Sequence, residues 1–246
     1  MDLSIVIPAY NEAHKIARDI QAAGEFLASN DLSGEVIIAD DGSPDATSQA
    51  AQNAPALPGI DRQVLSLPHR GKGHAVRQAM LAARGDYAMF ADSGLCVPFC
   101  DVLPALALLR SGQCDLANAS RKMNDSVINR GQNLYRRTLS RFFRWLVLHA
   151  LHLPRNLTDT QCGFKVYRGD IARELYRDCI IDGFMFDLEV LIRARQRGYR
   201  FIEFPVHWTC DPDSRLRPSR ILSRSFAELM TLRKILADET LRRNTR

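Results

Sequence analysis

Apolar, β-branched runs alternate with stretches of helical period from residue 3 onward, and that alternation limits the chain to few architectures. Residues 3–8, 35–40, 64–67 and 87–91 read as strands. Between them, residues 12–29 carry apolar side chains at helical spacing, a helix is expected from about Asp45, and another over 73–84. Strands alternating with helices imply βαβ units, hence an α/β fold with a Rossmann-like, mostly parallel sheet flanked by helices. Ligands of such sheets sit beyond the carboxyl ends of the strands. Residues 8–12, 40–43 and 92–94 each begin where an apolar run stops.

The second half is less regular. Helices are expected over 132–151, 188–197 and about 222–236, and strands over 163–168 and 201–207. Pro205 puts the last strand at a sheet edge, because proline has no N–H for a second neighbour. The 246 residues read as one domain with two halves, 1–120 and 121–246.

Charge divides the halves. Residues 1–120 carry 8 Lys+Arg against 14 Asp+Glu, net −6, whereas 121–246 carry 25 against 14, net +11. The second half therefore suits an anionic partner such as a phosphate or an acidic membrane surface. A nucleic-acid module is disfavoured, because no basic stretch is interleaved with aromatics and the first half is acidic. The six cysteines form no C-x-x-C pair, which with the immediate opening strand points to a reduced, cytoplasmic setting. Cys96 and Cys100 alone are a thin basis for a metal site. No apolar stretch approaches the roughly 18–20 residues of a membrane-spanning helix.

The Asp40-Asp41-Gly42-Ser43 turn reads in two ways, as an ordinary Asp-Gly turn or as part of a nucleoside pocket with Pro8-Ala9-Tyr10-Asn11-Glu12. In the pocket, Tyr10 stacks on a base and the carboxylates accept hydrogen bonds from base N–H or ribose hydroxyls. The histidines show no metal-ligand spacing and read as structural or surface residues. Gly71-Lys72-Gly73 lacks the spacing of a P-loop.

Taken in order, Ser4-Ile5-Val6-Ile7-Pro8-Ala9-Tyr10-Asn11-Glu12, Ala39-Asp40-Asp41-Gly42-Ser43 and Gly71-Lys72-Gly73 resemble the family-2 glycosyltransferases of A-type fold. Asp159-Thr160-Gln161-Cys162-Gly163-Phe164-Lys165 and Phe186-Asp187-Leu188-Glu189 resemble the dolichyl- and polyprenyl-phosphate hexose synthases, glucosyl or mannosyl. The resemblance implies that Pro8, Tyr10, Glu12 and Asp40 or Asp41 bind the nucleoside, with Lys72 near the base or diphosphate. It makes Asp92 the first carboxylate of the family's D-x-D motif and the ligand of a divalent metal, Mg²⁺ or Mn²⁺. Arg121, Arg130 and Arg137 would hold phosphates, while Asp187 and Glu189 would lie near the reacting centre. Asp159 joins Asp92, Asp187 and Glu189 as a candidate catalytic residue. One position departs from the pattern: Asp92-Ser93-Gly94 lacks the second carboxylate, and Cys96 follows where relatives often carry an oxygen ligand.

The implied reaction is inverting transfer of a hexose from a nucleotide sugar to a polyprenyl phosphate, with UDP-glucose slightly ahead of GDP-mannose as donor. A soluble small-molecule acceptor is the alternative. Gly94 motivates a third reading, a catalytically silent nucleotide-sugar-binding subunit. From Tyr135 to Leu151, Tyr135, Leu139, Phe142, Phe143, Leu146 and Ala150 share one helical face, and Arg136, Arg137, Ser140, Arg141 and Arg144 the other. This pattern fits a helix lying in the headgroup plane or one covering the protein's own core. The resemblance favours peripheral contact with the inner face of a membrane.

Overall fold

The structure, a computed structural model, describes residues 1–56, 58–130, 157–211 and 227–234. The strands β1 (Leu3–Ala9), β2 (Gly34–Asp40), β3 (Asp61–Ser66) and β4 (Tyr87–Ala91) alternate with α1 (Ile16–Ser29), α2 (Thr47–Gln52) and α3 (Lys72–Ala82). A short 3₁₀ turn, Phe99–Val102, leads into α4 (Leu103–Arg110), followed by β5 (Leu116–Ser120) and β6 (Val127–Arg130). After the 131–156 interval come β7 (Phe164–Arg168), α5 (Gly169–Asp178), α6 (Phe186–Gln196), β8 (Phe201–Pro205) and β9 (His207–Thr209). Residues 227–234 form a further helix, α7.

Seven strands make one sheet in the order β3-β2-β1-β4-β7-β5-β8, and β6 pairs with β9 in a separate ribbon. Neighbours run parallel except at β7, which lies antiparallel to both β4 and β5. Strands from both sides of residue 120 thus hydrogen-bond in one mostly parallel sheet, the α/β architecture expected.

The runs are continuously apolar because helices cover both faces. Ile5 and Ile7 of β1, Val36 and Ile38 of β2, and Met89 of β4 pack with Ile16, Ile20 and Leu27 of α1. Their neighbours Val6, Ile37, Ala39, Ala88 and Phe90 point the other way, into Ala75, Val76, Ala79 and Met80 of α3 and the aliphatic side chains of α5 and α6. The period of two places every second side chain in the opposite core layer.

Several boundaries moved. Helix α1 starts at Ile16 rather than at Glu12, because residues 11–13 are held by the turn that precedes α2. Asn11 takes φ 59°, its N–H donates to Ser43 Oγ at 2.9 Å, and the Glu12 N–H donates to Thr47 Oγ1 at 2.8 Å. The strand expected over 201–207 divides at Val206: β8 closes the main sheet as its edge strand, and β9 turns away to β6. Helices α4 and α5 and strand β5 were not anticipated; Leu-Ala-Asn-Ala-Ser of β5 has no β-branched residue to announce a strand. The helix expected over 132–151, with Arg137 and the Tyr135–Leu151 amphipathic pattern, lies outside the described residues; of the final helix expected over 222–236, residues 227–234 are helical and the rest lie outside the described residues.

Candidate donor site at the sheet's carboxyl edge

Strands β2, β1 and β4 are neighbours, so their carboxyl ends bring Asp40–Asp41, Pro8–Glu12 and Asp92 to one edge. The Asp41 N–H donates to Ala9 O at 2.9 Å, tying the first two clusters together. The two aspartates do different work. Asp40 turns back on its own loop, accepting from Ser43 N at 3.0 Å and from the hydroxyls of Ser43 and Ser48. Asp41 reaches across to the next loop: Oδ1 accepts from Arg70 N and Gly71 N, both at 3.0 Å, and Oδ2 lies 2.8 Å from His69 Nδ1. The His69 ring in turn stacks on Tyr10, with centroids 4.3 Å apart and planes at 17°. Tyr10 remains 41% exposed, so an aromatic platform lies open above a buried carboxylate. His69 is thus part of this corner, although no spacing rule singled it out. Glu12 is partly withdrawn, paired with Lys15 at 2.8 Å.

Helix α3 begins at this edge, and its two flanking glycines explain how. Gly71 has φ 129°, and a Cβ on Gly73 would lie 2.5 Å from Ile181 O and 2.7 Å from Gly183 O. Only glycine lets the helix start approach the 181–183 loop, where the His74 N–H donates to Asp182 O at 3.1 Å. Lys72 between them carries its ammonium to 2.5 Å from Asp92 Oδ1 and over the Phe90 and Phe186 rings. Burial alone would lower the Lys72 pKa, yet the Asp92 and Asp187 carboxylates raise it above its ordinary value, so it stays charged.

Behind this pair lies a second one. Lys165 of β7, buried, donates to Asp187 Oδ1 and to Cys162 O, each at 2.7 Å. Burial pushes the Asp187 pKa up, partly offset by Lys165 and Lys72. Asp187 therefore faces the Lys72 end of the pocket from the first turn of α6. Glu189, expected beside it, is turned into the interior. Fully buried, it accepts from Ile180 N at 3.1 Å, from Ile181 N at 2.8 Å, and from Arg193 Nε and Nη2 at 2.9 and 2.8 Å. Its place two residues after Asp187 on a helix points it elsewhere, so it holds a loop and not the pocket.

Asp159 likewise has a partner other than a reacting atom. Arg121 grips it through Nε–Oδ2 at 2.6 Å and Nη2–Oδ1 at 2.9 Å, and the Asp159 N–H donates to Glu203 Oε1 at 2.8 Å. Against the cost of burial, Arg121 holds the carboxyl down at about 2. Such a group is a fixed anion, unsuited to carry a proton near neutral pH. The same Arg121 guanidinium sits 5.3 Å from the Trp208 ring. Arg130 ends β6, its backbone paired with Thr209.

Asp92 decides whether a divalent cation fits. Its N–H donates to Gly163 O at 2.8 Å, and its carboxylate lies flat on Gly163, where a Cβ would meet Oδ2 at 2.0 Å. Oδ1 is buried and faces the Lys72 ammonium at 2.5 Å. A carboxylate oxygen that already faces a positive charge suits a metal that brings the rest of its shell with it. Gly94 offers no side chain. Burial, with Asp92 and Asp211 nearby, pushes the Cys96 thiol up to about 11, so at neutral pH it is a neutral sulfur and a poor ligand for a hard cation. Among the described residues no three His, Cys, Asp or Glu side chains are already gathered as a metal cluster. Asp92 therefore fits as one ligand in a shell completed largely by others.

The glycosyl transferase family 2 profile matches residues 4–176. Glycosyltransferase AglD of Haloferax volcanii is 36% identical over 221 residues, 88% of this chain and 34% of that protein. Dolichyl-phosphate beta-glucosyltransferase of Drosophila melanogaster is 32% identical over 238 residues, covering 89% of this chain and 70% of its own. The yeast enzyme of that name, from Saccharomyces cerevisiae, is 32% identical over 231 residues, covering 84% and 66%. This chain thus spans about a third of the first relative and about two thirds of the others. In shape it resembles glucosyl-3-phosphoglycerate synthase of Mycobacterium tuberculosis, solved with Mn²⁺, UDP and glucosyl-3-phosphoglycerate, at TM-score 0.67 and 22% identity over 94% of this chain and 78% of that one. Mannosyl-3-phosphoglycerate synthase of Rubrobacter xylanophilus gives 0.68 at 16% identity over 98% and 75%.

Proposed function

The chain belongs to glycosyl transferase family 2, and from that premise we propose that it moves a hexose from a nucleotide sugar to a polyprenyl or dolichyl phosphate with inversion at the anomeric carbon. The observation that carries the proposal is the line Tyr10, Asp41, Lys72, Asp92 at one sheet edge, an aromatic platform followed by alternating charges. Glucose is the sugar and UDP-glucose the donor, ahead of GDP-mannose; the beta-glucosyltransferase names of the relatives support this choice.

Each residue has a task in this reading. Tyr10 and His69 stack on the base, Asp41 braces the loop that presents it, and Asp40 and Pro8 shape the floor. Lys72 holds diphosphate oxygens. Glu12 fixes Lys15 beside that path. A Mg²⁺ or Mn²⁺ ion, when bound, supplies positive charge to the departing diphosphate, with Asp92 as its protein ligand beside phosphate oxygens and water. The acceptor phosphate has its second pKa near ~6, is already anionic at neutral pH, and needs no strong base. One of its oxygens forms the bond to the anomeric carbon while the bond to the diphosphate oxygen breaks, the electron pair leaving with the diphosphate. Attack from the opposite face converts an α-linked donor into a β-linked product. Asp187 keeps Lys72 and Lys165 in register and orients the acceptor or a sugar hydroxyl. Asp159 positions Arg121, which with Arg130 and Arg137 receives the acceptor phosphate. Glu189 supports the loop before α6.

No helix among the described residues is long and apolar enough to cross a membrane. The amphipathic pattern of residues 135–151 supports peripheral attachment at the cytoplasmic face, which brings the site to a lipid phosphate.

Calorimetry of the full chain against UDP-glucose and GDP-mannose, with and without Mn²⁺, tests the donor. Transfer of labelled hexose to a short polyprenyl phosphate or to water-soluble acceptors tests the acceptor. UDP-glucose should bind, Tyr10→Ala should weaken it by the ~1–3 kcal/mol of one stacked base, and label should follow the lipid. Heat from neither donor sinks the proposal. Binding without transfer to any acceptor favours a silent donor-binding subunit, the reading motivated by Gly94.

A further inference from the structure

The space where the residue after Ser93 would carry its side chain is already filled by a carboxylate. An ideal Cβ on Gly94 would lie 2.7 Å from Asp211 Oδ2 and 3.3 Å from Asp211 Cγ. Asp211 comes from the far end of the chain, two residues beyond β9. Its approach is built rather than incidental: the Thr209 N–H donates to Cys96 O at 2.8 Å, tying the end of β9 to the loop after Asp92. That loop is fixed from the other side by Asp19 of α1, whose Oδ2 accepts from Gly94 N at 2.6 Å. Gly94 at φ 96° and Leu95 at φ 51° stand in succession in the left-handed region. For leucine this is a costly conformation, kept only where surrounding contacts enforce it.

We propose that Asp211 supplies the second carboxylate of the metal site, replacing through space the one that Gly94 lacks, with Lys15 as its counter-ion until the cation binds. The inference rests on the donor-site reading above. A divalent cation of the Mg²⁺ type takes one or two carboxylates plus phosphate oxygens and water, and Asp92 with Asp211 meets that count. Lys15 Nζ lies 2.5 Å from Asp211 Oδ2 and 2.8 Å from Glu12 Oε2, and 3.3 Å from the Gly94 Cβ position. Its ammonium holds the place of a positive charge beside Asp211 and, on metal binding, remains with Glu12 at the diphosphate path.

The test is the electron paramagnetic resonance signal of free Mn²⁺ titrated with the full chain, alone and with UDP, alongside calorimetry of UDP without metal. Asp211→Asn, which keeps the volume and removes the charge, should weaken Mn²⁺ binding in the presence of UDP by ten-fold or more. A smaller loss in a folded Asp211→Asn variant overturns the proposal. Should that variant not fold, Lys15→Met titrated without UDP decides: removing the competing ammonium should tighten Mn²⁺ binding, and unchanged or weaker binding overturns it. Failure of the native chain to bind UDP in any condition overturns the donor-site reading, and the metal proposal with it.

Discussion

Gly163→Ala tests the site through a single methyl group. A Cβ at this position would stand 2.0 Å from Asp92 Oδ2, 2.2 Å from Cγ and 2.5 Å from Oδ1. Gly163 is not in the left-handed region, so the added methyl strains no backbone torsion there. Its effect is to evict the carboxylate. Restoring an ordinary contact of about 3.4 Å requires Asp92 to retreat by roughly 1.4 Å. Displacements of about 1 Å in a reacting constellation cost on the order of 10²-fold in rate. The Asp92 side chain is at the pocket wall, 38% exposed, so it has room to move and the stability cost should stay within the ~1–3 kcal/mol of an overpacked position. Single-turnover transfer from UDP-glucose at saturating acceptor, with urea unfolding of the same preparation, separates the two quantities. Transfer should fall about a hundred-fold with a modest change in unfolding midpoint. If Gly163→Ala transfers within two-fold of the native chain, Asp92 does not act from the position it holds here.

Two further predictions concern buried charge. Asp187→Asn removes the countercharge of buried Lys165, leaving it neutral acceptors and the Phe90 ring, and breaking such a pair costs about 3–5 kcal/mol; urea unfolding at neutral pH should show this loss, and a loss under 1 kcal/mol refutes it. Asp159 is depressed from 3.8 to about 2, so its contribution of about 2 kcal/mol is complete above the unfolded value and disappears as pH falls from about 4 through 2. Asp159→Asn should flatten acid unfolding over that window, and an unchanged profile removes Arg121–Asp159 as its cause.

The legible part of the chain was local. Continuous apolar runs set the strands β1, β2 and β4, β-branched in the first two and aromatic in the third, and a sheet covered on both faces follows from their lack of polar alternation. The carboxyl-edge rule then located Tyr10, Asp41 and Asp92 from sequence alone, because each lies immediately after its strand. Glu189 and Asp159 show where such reasoning stops. Both carboxylates sit in recognisable blocks, but the loop N–H groups of Ile180 and Ile181 that Glu189 accepts from, and the Arg121 that grips Asp159, are brought to them by packing.

Long-range placement belonged to the tertiary structure. His69 acquired meaning when its loop closed over Asp41 and its ring met Tyr10. The missing side chain of Gly94 looked like a lost ligand in the one-dimensional pattern, yet β9 delivers Asp211 to the same volume. Periodicity constrains residues a few positions apart, through the geometry of helix and strand. A carboxylate brought from another part of the chain depends on how strands and loops pack in three dimensions, and no local spacing records it.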